Sequence, residues 1–382
     1  MISKKNKDLF VFLSLNLALG LPAVVAQWCI KTSQRPLNPS PGPSPFGYVI
    51  SLVLFWFPCV FFGAMLFWQP FSRQVFDPIT LRSLYAPFRR KAFALTLVAL
   101  CPLGVVLDIM FGSTFFKFPE SSGVLKGFLL PAFFPNGSGP PEHSCPGHWH
   151  RYIPVEEMAF YFLGFLTILM VYIWSENVLF RDSKVEISQT APKLFQGQKA
   201  TALSLSAIGV LLSLVACCVR MKIKPEEGGS AWPGYFLFLL WAAVLPSMFL
   251  FHISFHFINW RALTVAWLFV LSISQFWEAF LGVPYQWWDY HHDQMMGFFI
   301  KPECELPIEA VLVWSLSSWT TIVVYERILA ALNLKGGGPP DAGLQMLLGP
   351  PPGPPPSSVS TEIHIEQLKR IYQRQFQGGD RK

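Results

Sequence analysis

The chain has 382 residues, of which 52% are hydrophobic and only 14% charged, with a net charge of +6. Soluble domains carry roughly 25% charged residues, so neither an ordinary soluble domain nor a disordered chain fits. The basic residues form no stripe interleaved with aromatics, which excludes a nucleic-acid footprint. Seven cysteines without a CxxC spacing imply no disulfide framework.

The charges cluster between long apolar stretches, and eight stand out: 9–30, 48–68, 92–112, 153–174, 200–219, 232–251, 262–282 and 306–332. Each is long enough to cross a hydrocarbon core of roughly 30 Å. A bilayer core offers no water to backbone groups, so each segment must be a helix. The expected fold is an all-α polytopic membrane protein of about eight transmembrane helices, arranged as two parallel four-helix repeats. The first segment has a rival reading. Lys4, Lys5 and Lys7 precede an apolar run, and Val24-Val25-Ala26 has the form of a signal-peptidase site. A retained helix is preferred because the repeat requires it.

Orientation follows from Lys and Arg. With the N-terminus on the cytoplasmic side, 20 of the 29 basic residues fall inside, in keeping with the positive-inside rule. Lys222 and Lys224 lie on the other side. Asn136-Gly137-Ser138 is a glycosylation sequon on the expected outer side. Residues 335–382 form a Gly/Pro-rich cytoplasmic tail expected to be disordered. Within it, 363–376 carries Ile, Leu and Tyr at helical spacing beside Lys369, Arg370 and Arg374. That stretch reads either as a short interfacial helix or as solvated chain.

The two halves resemble each other, giving repeats 1–180 and 181–334. At an offset of 170, Lys91 meets Arg261, Asp108 meets Glu278, Gly112 meets Gly282, and Gly127-Phe128 meets Gly297-Phe298. The offset then falls to 153, where Pro154-Val155-Glu156 meets Pro307-Ile308-Glu309. The difference is an insertion in the first half around 135–151. Each half holds an even number of helices, so both enter the membrane the same way, related by an axis along its normal. Asp108, Glu156, Glu278 and Glu309 then all lie near one face of the bilayer and can serve one cavity.

Acidic residues within spanning segments are costly and are functional candidates by default. Here they are Asp108, Glu156, Glu157, Glu278, Glu309 and Glu326; Glu326, beside Arg327 at an inner end, reads as interfacial. Proline suits the first turn of a helix, so each Pro-x-Glu sets a carboxyl in that turn. Glu156 and Glu157 point about 100° apart on a helix, so they cannot both face one spot. Carboxyls in a dry aromatic site can protonate a carbon–carbon double bond, with aromatic faces stabilising the cation. The aromatics near the second acid are Phe276, Trp277, Tyr285, Trp287, Trp288 and Tyr290, with Phe160 following Glu156-Glu157 in the first half. An interfacial aromatic belt is the simpler reading of any one of them.

The histidines form weaker patterns. His252 and His256 are spaced i, i+4 but lack a third ligand. His143, Cys145, His148 and His150 share a loop without a zinc spacing, and His291-His292 sits between Asp289 and Asp293. No metal and no cofactor is expected, since no P-loop, GxGxxG after a strand or HExxH is present.

The two Pro-x-Glu motifs, the acid–Gly pattern before each, and Trp287-Trp288-Asp289-Tyr290 followed by Gly297 resemble the membrane-integral lycopene cyclase family, the heterodimeric and fused carotenoid cyclases. The resemblance covers about residues 90–175 and 260–330. It implies a duplicated helical unit and redox-neutral ring closure at an acyclic end group, with Glu156, Glu157 and Glu309 as essential carboxyls; Asp108 and Glu278 stand beside them as catalytic candidates from their place in apolar helices. It implies Phe160, Trp277, Trp287, Trp288 and Tyr290 around the substrate. The second motif departs from the first in carrying Ala310 where the first has Glu157. The implied partners are a hydrophobic isoprenoid and the lipid bilayer, with a second copy or other pathway enzymes as further candidates. Rival readings are a hydratase of the same superfamily, an intramembrane glutamic protease, for which Tyr161 stands where an Arg is expected, and a transporter or assembly protein.

Overall fold

The computed structural model describes residues 48, 51–67, 87–118, 128–134, 148–180, 198–223, 232–254, 258–283, 287–300 and 306–335. These are mostly helical. In chain order they form α1 (Val53–Phe67), α2 (Pro87–Phe115), β1 (Phe116–Lys117), β2 (Leu129–Phe134), β3 (His148–Pro154), α3 (Glu156–Val178) and α4 (Gln198–Ile223). There follow α5 (Gly234–Leu239), a π-turn (Leu240–Val244), α6 (Leu245–Ser254), α7 (Trp260–Trp277) and a second π-turn (Glu278–Gly282). The chain continues through β4 (Asp289–Tyr290), a 3-10 turn (His292–Gln294), β5 (Phe299–Ile300), β6 (Leu306–Pro307) and α8 (Ile308–Lys335).

Five stretches are long and apolar enough to span a membrane: Arg89–Phe115, Glu156–Val178, Thr201–Ile223, Trp260–Gly282 and Ile308–Leu332. Two more, Val53–Phe67 and Gly234–Leu250, are apolar but shorter. Leu203, Leu211 and Leu214 of α4 and Val98 of α2 stand exposed, an arrangement suited to lipid rather than water. The segment expected at 9–30, the loop residues His143, Cys145 and Asn136, and the tail after Lys335 lie outside the described residues, as do His256 and Tyr285.

Local chemistry sets the boundaries, and two differ from the sequence reading. Ile153-Pro154 and Leu306-Pro307 are not helical; they end β3 and β6, and α3 and α8 begin just after each proline. Proline cannot donate to a ladder and fixes its own φ, so a strand can end on it where the chain turns into a helix. At the start of α7 the Asn259 side chain accepts from the Ala262 N–H at 3.2 Å, an N-cap. The segment at 232–251 is two α-helical pieces joined by a π-turn rather than one regular helix.

Three short antiparallel pairs, which an all-α reading does not anticipate, close one end of the bundle. β1 pairs with β4, placing Phe116 opposite Tyr290. β2 pairs with β3, with Leu129 opposite Pro154 and Leu130 opposite Ile153. β5 pairs with β6, with Phe299 opposite Pro307 and Ile300 opposite Leu306. Val155 N–H donates to Phe128 O at 3.2 Å, and Ile308 N–H to Phe298 O at 2.9 Å. Gly297, before β5, has φ +89°, a conformation glycine adopts without strain.

The core runs the length of α3, which packs against α1, α2, α7 and α8. In turn α7 and α8 pack on each other, and α8 on α2 and α6. Within it Phe62 meets both Trp174 and Phe269 edge to face.

Candidate functional site

α2, α3 and α7 each bring a carboxyl to one cavity of about 90 Å³ beneath the strand pairs. Asp108, Glu157 and Glu278 all line it. Asp108 lies in the last turns of α2, Glu157 in the first turn of α3, and Glu278 opens the π-turn that ends α7. Such turns widen a helix locally and recur at functional sites. No Lys, Arg or His is among the described residues that line the cavity.

The rest of the wall is aromatic. Phe160, Trp277, Trp288, Tyr290, Tyr235 and Trp314 contribute to it. Phe160 stacks on Trp277 with centroids 4.8 Å apart, and Trp288 packs on the same indole at 4.2 Å. Gly282 makes this possible: a Cβ there would fall on the Trp288 ring.

The three carboxyls are held differently. Glu278 accepts from the Tyr290 hydroxyl at one oxygen and from Trp314 Nε1–H at the other, each at 2.5 Å. Glu157 accepts from the Tyr48 hydroxyl, and Tyr48 stacks on Trp287, centroids 6.0 Å apart. Asp108 Oδ2 is buried and has no hydrogen-bond partner among the described residues.

The cavity thus gathers seven of the ten sequence-derived site residues: Asp108, Glu157, Glu278, Phe160, Trp277, Trp288 and Tyr290. Glu156, Glu309 and Trp287 do not line it. Glu156 is on another face of α3, as its 100° separation from Glu157 requires. Glu309 is fully buried and accepts from the Met296 N–H at 2.6 Å, tying the loop after the 3-10 turn to the start of α8. Trp287 backs Tyr48.

Three residues escaped the sequence reading: Tyr48, Tyr235 and Trp314. A signal existed for the first two, since Gly47-Tyr48 and Gly234-Tyr235 open the second and sixth apolar segments alike. Trp314 falls opposite Tyr161 at the 153 offset, an aromatic pair easily passed over in so aromatic a chain. Among the described residues no group of three or more His, Cys, Asp or Glu is placed to hold a metal.

In comparison with known proteins, the chain matches no family model, no curated protein and no solved structure.

Proposed function

We propose that the chain is a membrane-embedded isoprenoid cyclase, with a carotenoid of the lycopene type as substrate. One observation carries the reading: an aromatic-walled cavity that holds three buried carboxyls and, among its described lining, no cation. Such a site suits the protonation of an alkene. A neutral carboxyl gives its proton to a terminal double bond, the chain closes on the resulting cation, and a carboxylate removes a proton to leave a ring alkene. Trp277, Trp288 and Phe160 offer π faces to the cation, an attraction that strengthens where water is excluded. At about 90 Å³ the cavity is smaller than the roughly 150 Å³ that accommodates benzene, so binding of an end group requires the aromatic wall to give way.

The same reading includes the duplicated eight-helix architecture, with 9–30 as the first helix and both termini cytoplasmic. The strand pairs support the duplication. Shifting Leu129 and Leu130 by 170 gives Phe299 and Ile300, and shifting Pro154 and Ile153 by 153 gives their partners Pro307 and Leu306. The bond from Val155 to Phe128 maps to that from Ile308 to Phe298 under the same offsets. The helix packing also maps: exchanging α2 with α7 and α3 with α8 carries α2·α8 onto α7·α3 and α2·α3 onto α7·α8. Tyr172 and Tyr325, 153 residues apart, meet edge to face at 6.2 Å, as residues beside a pseudo-twofold axis would.

Glu156 and Glu309, matched in this scheme, act on the reading as positioning residues behind the cavity. The acids of the cavity gather at one end, while Glu176 and Glu326 at the other are held by Arg89 and Tyr172, which favours a reaction site over a transport route.

The test is expression in cells that accumulate lycopene, with pigments separated and weighed by mass spectrometry. A cyclic product of unchanged mass is expected. A product heavier by one water would assign the hydratase reaction instead, and unchanged lycopene with the protein present in the membrane would overturn the carotenoid reading.

A further inference from the structure

We infer that the cavity is polarised between the halves of the chain: Glu157 of the first half holds the proton given to the substrate, and Glu278 of the second half is the carboxylate that faces the cation and takes a proton back. This rests on the cyclase reading and assigns its acid and base.

Three ionised carboxyls sharing an apolar cavity, with no cation among its described lining, would repel one another without compensation. Their hydrogen bonds decide which one carries charge. An indole N–H can only donate, so Glu278 Oε1 must accept from Trp314, and the Tyr290 hydroxyl supplies the other oxygen. One obligate donor together with a hydroxyl that can also donate favours the anion more than a lone hydroxyl does. Glu157 has a different partner. The Tyr48 hydroxyl can donate or accept, so it serves a carboxyl that holds its proton and one that has released it. Asp108 Oδ2, buried and unpartnered, lacks the donors an anion would need. The difference is written into the repeat: at the 153 offset Glu157 meets Ala310, and Trp314 meets Tyr161. One half has kept the extra acid and the other the indole donor.

The step balances. The Glu157 O–H bond breaks as a C–H bond forms at the terminal alkene carbon. The neighbouring cationic carbon then bonds to an internal double bond of the same chain, closing the ring. Glu278 removes a proton from the carbon beside the ring cation, and the C–H electrons become the ring alkene. Exchange with solvent returns one proton to Glu157 and takes one from Glu278, so no oxidant or reductant enters.

Two measurements test this. In membranes suspended in D2O with lycopene, the wild type should give a ring carrying deuterium. Glu157→Gln should return unlabelled substrate. Glu278→Gln should return substrate that is deuterated or has captured water, because protonation proceeds and deprotonation fails. The reverse pattern, or label lost equally in both variants, overturns the assignment. The second measurement needs no substrate: the infrared band of neutral carboxyl groups in the purified protein. It should weaken in Glu157→Gln, stay unchanged in Glu278→Gln, and gain intensity in Trp314→Phe, where Glu278 loses its indole donor. A band that weakens in Glu278→Gln instead overturns the assignment. If the infrared pattern holds but wild type forms no ring, the cyclase reading falls and the proton assignment stands.

Discussion

At one end of α3, Glu157 faces the cavity it shares with Asp108 and Glu278. At the other end, about 29 Å along the helix, Glu176 accepts from Arg89 at 2.9 Å. Nearby the Tyr172 hydroxyl donates to Glu326 at 2.7 Å and accepts from the Asn259 N–H at 3.1 Å. Both ends bury acids among apolar helices. At the Arg89 end each acid has a partner from another helix, and α2, α3, α7 and α8 are drawn together. At the cavity end three acids share a lining with no cation among its described residues, Asp108 Oδ2 has no partner there, and the acids have a space to act on. A matched buried charge is architecture; an unmatched one beside a cavity is a candidate for chemistry.

The comparison breaks most sharply at Arg89. Replacing it with alanine leaves Glu176 without its partner guanidinium in a nearly buried setting, and removing one member of such a pair costs about 3–5 kcal/mol. Thermal unfolding of Arg89→Ala in detergent should fall well below wild type, while turnover per folded molecule stays the same. An unchanged melting temperature with lost turnover would make this end part of the reaction site.

At the cavity end the prediction is the opposite. Gly282→Ala puts a methyl group where the Trp288 ring lies, so the ring must leave its place against Trp277. Misplacing a site group by an ångström can cost on the order of a hundredfold in rate. Turnover should fall by about that factor, with a smaller loss of melting temperature than in Arg89→Ala. Full turnover would remove Trp288 from the working wall.

How much of this was legible in the sequence also divides by region. Asp108, Glu157 and Glu278 could be read because a carboxyl in an apolar run is costly and conspicuous. The strand pairs could not. Two-residue ladders such as Phe299–Ile300 with Leu306–Pro307 are too short to show a period, and Pro131 and Pro154 argue against strands in the longer one. Tyr48 and Trp314 were hidden for a different reason: their roles come from bonds to Glu157 and Glu278, 109 and 36 residues away, and aromatic residues are abundant throughout. The two-way split of α5 and α6 was also silent, since a π-turn leaves no mark on hydrophobicity. What the sequence did carry was the likeness of Asp108 to Glu278 and of the two Pro-x-Glu motifs at offsets of 170 and 153, and the same offsets relate two residue pairs of β2 and β3 to the two of β5 and β6.

The smallest expected effect concerns the loop that carries Tyr290 to Glu278. His291 follows Tyr290 and donates its backbone N–H to Phe115 O at 2.9 Å. Burial first, and then the Lys117 ammonium and His292, hold its pKa below the usual histidine value, against the opposing pull of Asp293 and Asp289. The unfolded chain therefore takes up this proton before the folded one does as pH falls. Stability rises with pH wherever the unfolded state binds more protons, so His291 costs nothing well above about pH 6.5. It destabilises progressively as pH drops through that value toward the lower folded pKa. Melting temperature measured from pH 8 to pH 5 should decline more steeply in wild type than in His291→Gln, with the curves converging at the alkaline end. Parallel curves for wild type and His291→Gln would mean that the histidine titrates alike in folded and unfolded chains, and that the loop holding Tyr290 is open to water.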